Sequence, residues 1–194
     1  MRFPLSYEGP LPASGNTHGK RLAKLPHIWR IRDAIHPQIK AVYDNHPAFA
    51  SPSTSQSRAA MIALNRPIVV GGHDFYPLAR TAFFLKCELD IEMHVNHQIA
   101  SLVSNVGDLD NRLKTLLDAL RMPHDPQEIQ GYMPAIGEYC CLLENDVLIS
   151  ALKIETFRHT AVPAGSNIDH VRLNIKVKLE PFKADFINEP FRHD

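Results

Sequence analysis

The sequence predicts an α+β domain, in which a small mixed or antiparallel sheet carries helices packed on one face. Residues 85–95 and 171–179 alternate strictly between apolar and polar side chains, which is typical of strands with one buried face. Residues 107–120 instead space their leucines three or four positions apart, which indicates an amphipathic helix. Because 194 residues are enough for one well-packed core, we expect a single domain over residues 1–194.

The first third of the chain is predicted to hold one strand and one interrupted helix. Residues 2–7 are predicted to form a short strand that ends at a cluster of glycine and proline, and the turn-forming residues 13–21 predict a loop. The isoleucines of residues 27–43 recur on one side of a helix, and Pro37 predicts a kink or two shorter helices. The polar, low-complexity residues 50–57 predict a flexible loop.

The rest of the chain is predicted to complete the sheet and add a second helix. Gly71 and Gly72 predict a turn between two strands, and a further strand is predicted over about 147–155. The helix over 110–121 is predicted to stop at the Met-Pro pair that follows it. Asp125–Glu128 has the cap residue, the proline and the glutamate of a helix start.

The charge distribution is compatible with a nucleic-acid partner although the net charge is zero. Residues 1–58 hold 8 Lys and Arg against 3 Asp and Glu, whereas residues 59–194 hold 13 against 18. A basic segment beside an acidic remainder predicts a phosphate-tracking surface next to an acidic site. The same charges equally fit a solvated basic helix without any partner, so both interpretations stay open.

The cysteines and the hydropathy indicate a cytoplasmic protein. The three cysteines, Cys87, Cys140 and Cys141, have the spacing of neither a disulfide framework nor a zinc site. No apolar run approaches the length of a membrane span, and the N-terminal residues lack the apolar core of a signal peptide. We therefore expect a protein of the reducing cytoplasm with no membrane partner.

Carboxylates gather where the second helix begins. Asp108 and Asp110 are separated by one residue, and Lys114 follows on the polar side of the helix. Asp146 precedes the strand predicted at 147–155 and provides a third carboxylate if that strand lies near the helix start. Such a set suits a hard divalent cation and a phosphate. In the alternative interpretation Asp110 is only an N-cap and Lys114 only pairs with Asp118, which leaves Asp108 unexplained.

The same residues resemble a known family of nucleases. The run D-L-D-N-R-L-K-T-L-L-D-A-L at 108–120, followed by N-D-V-L-I at 145–149, is similar to the signature of RusA-type Holliday junction resolvases. The resemblance implies a RusA-like fold and a site for Mg²⁺ or Mn²⁺. On this resemblance the metal-binding and catalytic aspartates are Asp108, Asp110 and Asp146, the essential lysine is Lys114, and the motif asparagine is Asn111.

The resemblance also implies a reaction and partners. It implies hydrolysis of DNA phosphodiesters at four-way junctions by a symmetric homodimer, since a junction presents two equivalent strands. DNA backbone would be held by basic residues of the first segment. The residues expected in this role are Lys20, Arg21, Lys24, Arg30 and Arg32, together with Asn111.

Two departures from the family pattern favour other functions. Asn145 stands where the family has an acid, and residues 122–143 form a longer connector that we expect to reshape substrate access or the dimer surface. A catalytically weak or inactive relative that binds branched nucleic acid is one alternative. The other is a structural interaction protein, in which the aspartates at the helix start act only as a cap.

Overall fold

The computed structural model contains two helices and seven strands arranged in two mixed sheets, which confirms the α+β class. It describes residues 1–13, 18–46, 66–96, 108–129, 131–132, 138–159, 169–185, 188 and 191. The elements in chain order are β1 Arg2–Pro10, α1 His18–Asn45, β2 Ile68–Val70, β3 His73–Ala79, β4 Leu85–Val95, α2 Asp108–Leu120, β5 Glu138–Leu143, β6 Ile149–Arg158 and β7 His170–Pro181. The loop predicted at 50–57 lies outside the described residues.

The larger sheet has the strand order β1-β7-β4-β6. β7 pairs antiparallel with both β1 and β4, whereas β6 pairs parallel with β4. The strand predicted at 85–95 is confirmed as β4, and its apolar side chains are all buried because alternate residues face the core. β7 shows the same alternation, so the central strands of this sheet bury one face and expose a charged one.

The first helix is continuous, so of the two outcomes predicted at Pro37 the division into two shorter helices is wrong. α1 runs from His18 to Asn45 with two prolines inside it, so it also replaces the predicted loop over 18–21. Four isoleucines on both sides of Pro37 are buried, at positions 28, 31, 35 and 39. A proline inside a helix costs about 3 kcal/mol, whereas full burial of each isoleucine contributes about 1.5–3 kcal/mol. Packing of this stripe therefore outweighs the proline.

The smaller sheet, β2-β3-β5, was not expected as a separate layer. Its hairpin turns at Gly71 and Gly72, whose φ angles of 56° and 83° favour glycine, so the predicted turn is confirmed. β5 pairs parallel with β3 and comes from the connector 122–143. Because Tyr139, Leu142 and Leu143 are buried, this connector is a structural part of the core rather than an appendage.

A buried ionic cluster holds the two helices in register. Arg32 on α1 donates to the backbone carbonyl groups of Asp118 and Arg121 at 2.8 and 3.1 Å, and it lies 3.6 Å from the Glu128 carboxylate. These carbonyl groups end α2 and have no partner within the helix. Arg32 is only 2% exposed, so its predicted contact with DNA backbone is wrong.

The contacts of α1 also fix its direction. Gln38 bonds both the N–H and the carbonyl group of Ser6 near the middle of β1, while Arg32 lies at the C-terminal end of α2. His27 of α1 lies near Asp169, which pairs with Arg112 in the first turns of α2, so the residues of α1 that precede Arg32 run toward the end of the larger sheet where α2 begins. In the part of the chain that the structure describes, no helix has the length and apolarity needed to cross a membrane.

Candidate active site

The N-terminal end of α2 is anchored by a buried arginine. Arg112 donates one hydrogen bond to the Leu11 carbonyl group just after β1, and another to the Asp169 carboxylate at 2.9 Å just before β7. The Arg112 side chain is buried and the Asp169 side chain is partly exposed, so only the arginine of this charge-assisted pair is shielded from water. These two bonds fix the start of α2 against the end of the larger sheet where β1 ends and β7 begins. Sequence reasoning missed them, because neither residue carries a pattern that predicts the pairing.

Asp110 and Lys114 lie on the exposed side of this anchored helix. Their side chains are 58% and 43% exposed, and the Lys114 ammonium group donates to the Asp110 carboxylate one turn away. An exposed pair at this spacing contributes only about 0.3–0.5 kcal/mol, so either group can exchange its partner for a ligand. The predicted alternative, a pair between Lys114 and Asp118, is wrong because Asp118 pairs with Arg121 at 3.0 Å.

The helix begins at Asp108, so Asp110 lies inside the first turn and is not the N-cap of the alternative interpretation. The side chain of Asp108 lies outside the described part of the structure. Both residues belong to the first turn, where the unpaired backbone N–H groups and the helix dipole favour negative charge. Asn111 follows as a half-buried residue whose backbone carbonyl group accepts a hydrogen bond from Thr115.

The predicted DNA-binding cations occupy different environments along α1. Lys20 and Arg21 belong to its first turns, at the same end as the start of α2, and their side chains lie outside the described part of the structure. Arg30 is exposed, whereas Lys24 is buried to 4% exposure. Burial lowers the pKa of His27, and the charge of the neighbouring Arg30 lowers it further. Because they are buried, Arg32 and most of the Lys24 side chain cannot contact a phosphate at the surface.

Asp146 opens a short 3-10 turn that leads into β6, and its side chain is exposed. The Asn145 side chain caps this turn by accepting a hydrogen bond from the Val147 N–H at 3.1 Å. The preceding Glu144 carboxylate accepts from the Thr81 N–H at 2.7 Å. Asn145 thus has a local structural role that either an amide or a carboxylate oxygen can fill.

The structure does not bring Asp146 to the start of α2 within one chain. β6 begins opposite Cys87, whereas Arg112 and Asp169 lie at the end of the sheet where Val95 pairs with Val171. Cys87 and Val95 are eight residues apart on β4, which corresponds to about 26 Å. Among the described residues, no three Asp, Glu, His or Cys side chains are arranged to hold a metal ion.

Three histidines line the same end of the larger sheet on its charged face. The ring centroids of His94 and His159 are 6.3 Å apart, as are those of His159 and His170, and His170 lies 3.4 Å from the Glu8 carboxylate. His159 is buried, and neither of its ring nitrogens has a hydrogen-bond partner among the residues that the structure describes. These residues are far apart in sequence, which is why no spacing rule groups them.

A shallow depression of about 610 Å³ crosses all four strands of the larger sheet. It lies around Glu88–Asp90 of β4 and Lys176–Lys178 of β7. This is the half of the sheet that is farther from the start of α2. Its charged walls are paired with each other, as in the contact of Lys178 with Glu88 at 3.2 Å. The depression therefore carries none of the predicted catalytic residues. Comparisons with protein-family models, curated proteins and solved structures find no match for this chain.

Proposed function

We propose that this chain is a metal-dependent endonuclease that cleaves branched DNA, with four-way junctions as its substrate. The observation that carries the proposal is the exposed Asp110–Lys114 pair on a helix start fixed by Arg112. Asp108 belongs to the same turn, and the first cations of α1 lie at the same end of the sheet. The resemblance of residues 108–120 to RusA-type resolvases gives these groups a common role.

The donors at the start of α2 suit Mg²⁺ or Mn²⁺. Mg²⁺ is commonly bound by one or two carboxylates and completes its shell with water and substrate phosphates. Asp108 and Asp110 supply two carboxylates, and such an ion would supply Lewis-acid stabilisation of the charge that develops on the phosphate. Lys114, released from Asp110, would position the scissile phosphate and balance its charge.

Asp146 joins this site only if a second copy of the chain provides it. Within one chain Asp110 and Asp146 lie at opposite ends of the larger sheet. In a symmetric homodimer one residue can face the other across the two-fold axis, and the arrangement then occurs twice. We therefore propose two composite sites, each with Asp108, Asp110 and Lys114 from one subunit and Asp146 from its partner. Two such sites match the two equivalent strands of a four-way junction.

Cleavage of labelled four-way junctions in Mg²⁺, Mn²⁺ or EDTA tests the reaction. We expect cutting with either metal, none in EDTA, and little on linear duplex. Asp110→Asn should abolish cutting and preserve junction binding, since the amide keeps the shape of the side chain. Asp118→Asn is the matched control, because Asp118 lies on the same helix and its carboxylate pairs with Arg121. Cutting that survives Asp110→Asn contradicts the site.

Subunit mixing tests the composite arrangement separately. Asp110→Asn and Asp146→Asn should each be inactive alone. When the two variants are unfolded, mixed and refolded, heterodimers regain one intact site, so about a quarter of all sites should be active. If both residues belonged to one chain, no mixture would regain activity, because every chain would lack one of them.

The remote position of Asp146 also favours a second function, binding of branched DNA without cleavage. In that case the exposed cations would hold phosphates, and Asp110–Lys114 would remain a surface ion pair. Tight, salt-dependent junction binding with no cutting in any metal would support this second function and refute the first.

A further inference from the structure

The strand β6 forms an open edge of the larger sheet. It pairs with β4 on one side, and the described part of the chain places no strand on its other side. Most of its ten residues are exposed, including Leu152 at 38% and Phe157 at 42%. An edge of this length with exposed apolar side chains offers unpaired N–H and carbonyl groups to another strand.

The opposite edge of the same sheet is protected. β1 contains Pro4, which has no N–H to offer, and the Gln38 side chain occupies both backbone groups of Ser6. β6 has no proline, and its charged side chains are Lys153, Glu155 and Arg158. β1 therefore carries a proline and a side chain bound to its backbone groups, which hinder strand addition, whereas β6 has charged side chains but neither of these two features.

We propose that β6 pairs antiparallel with β6 of a second copy, with the two-fold axis at Ile154. The pairing would join the two four-stranded sheets into one continuous sheet. Residues directly opposite each other in such a pair share a face of the sheet. In this register, Lys153 lies opposite Glu155 of the partner subunit and Glu155 lies opposite Lys153 of the partner subunit.

The charges select this register over its neighbours. With the axis at Lys153, two ammonium groups would lie opposite each other, and with the axis at Glu155, two carboxylates would. Like charges directly opposite are destabilising, whereas opposite charges stabilise the pair. With the axis at Ile154, the small Ala151 also lies opposite the exposed Phe157 of the partner subunit, which would cover both. Both charge and side-chain size therefore fit a second copy of this chain.

The β6 interface is inferred independently of the proposed nuclease site, but it changes what surrounds that site. In an antiparallel pair, the start of β6 in one subunit lies beside the end of β6 in the other. Asp146 precedes the start of β6, and the end of β6 pairs with Val95 near the start of α2. The pairing thus carries Asp146 to the end of the sheet where the partner's α2 begins, with β6 and β4 of the partner subunit between it and the β7 edge against which that helix is anchored.

Light scattering during size-exclusion chromatography tests the interface without DNA. We expect a dimer of about twice the chain mass of 21.8 kDa. Lys153→Glu and Glu155→Lys should each weaken the dimer at least about tenfold, because each places two like-charged pairs across the axis. The double variant should restore it, since the pairs are then reversed. Lys176→Glu is the control, because Lys176 is an exposed, ion-paired residue of β7 away from this edge.

A cysteine at the axis provides a second measurement if a charge variant fails to fold. Ile154→Cys should form an intermolecular disulfide on mild oxidation, because the two side chains meet across the two-fold axis and the native thiols are buried. The interface would be overturned by any of three results. The protein could be a monomer at high concentration, the single charge reversals could leave the dimer unchanged, or the double variant could fail to restore dimer affinity. A dimer that obeys the charges but cuts no junction would refute only the nuclease.

Discussion

Truncation of Glu128 to alanine should destabilise the whole domain, although the residue lies in the connector 122–143. The Glu128 carboxylate bonds both terminal nitrogens of Arg121 at 3.2 Å and lies 3.6 Å from Arg32. Burial lowers the pKa of Arg32, whereas the pKa of Arg121 is raised because Glu128 and Asp118 outweigh its burial. Glu128 therefore mainly neutralises Arg121, while Nε and Nη1 of Arg32 have no hydrogen-bond partner among the described residues.

Removing one member of a buried ion pair typically costs about 3–5 kcal/mol, because it leaves an uncompensated charge. In Glu128→Ala two guanidinium groups lose their buried counterion, and the Asp118 carboxylate remains beside Arg121. Since that contact persists, we expect a loss of about 3–4 kcal/mol in the free energy of unfolding. In a domain of this size each kcal/mol shifts Tm by about 2–4 °C, so Tm should fall by roughly 6–16 °C.

Urea unfolding followed by tryptophan fluorescence measures this change. The chain has one tryptophan, Trp29, whose indole N–H donates to the Glu128 backbone carbonyl group at 2.7 Å, so the probe reports on the same contact region. Asp118→Ala is the control and should cost about 0.5–1 kcal/mol, since its carboxylate is partly exposed. A loss below about 1 kcal/mol for Glu128→Ala would refute the reasoning, because water must then reach the two arginines.

Three further predictions concern buried polar and sulfur groups. His159→Leu should raise the free energy of unfolding by about 1–2 kcal/mol in urea titrations, because both ring nitrogens are buried without partners in the described part of the chain. A decrease of that size would contradict this prediction. Burial lowers the pKa of His36, so the folded state binds fewer protons than the unfolded state. The free energy of unfolding should therefore fall as the pH drops below about 6.5. His36→Leu should flatten this pH dependence, and an unchanged slope would argue against the prediction. Burial raises the pKa of Cys87 and Cys141 to about 12 and of Cys140 to about 11, so a thiol reagent at about pH 8 should label the protein only in denaturant, and rapid labelling of the native state speaks against this.

Sequence patterns predict the larger sheet well because its strands obey simple periodicities. β4 and β7 alternate strictly, so each has one face in the core and one in solvent. β5 escapes this rule, since five of its six residues are buried and it shows a continuous apolar run instead of an alternation. The same limit applies to α1, where the division into two helices that Pro37 allows is prevented by long-range packing.

The candidate site shows the same division between local and long-range information. Helix periodicity places Asp110 and Lys114 on one exposed face, and the structure confirms that they are neighbours. Periodicity holds no information about which end of a parallel strand pair faces a helix start, and this geometry separates Asp146 from them. In a β-α-β connection the helix begins at one end of the sheet and the next strand begins at the other, so the separation follows from the topology.

The substitution at position 145 therefore weighs less against activity than the family pattern implies. Asn145 caps the turn before β6 through a side-chain oxygen, and an aspartate would offer the same oxygen to the Val147 N–H. The carboxylate that follows it, Asp146, is retained and exposed. The decisive variable is consequently the position of Asp146 relative to the start of a second chain's α2. If the charge-reversed β6 variants lose the dimer and junction cleavage together, and the double variant regains both, the edge pairing and the composite site stand as one arrangement.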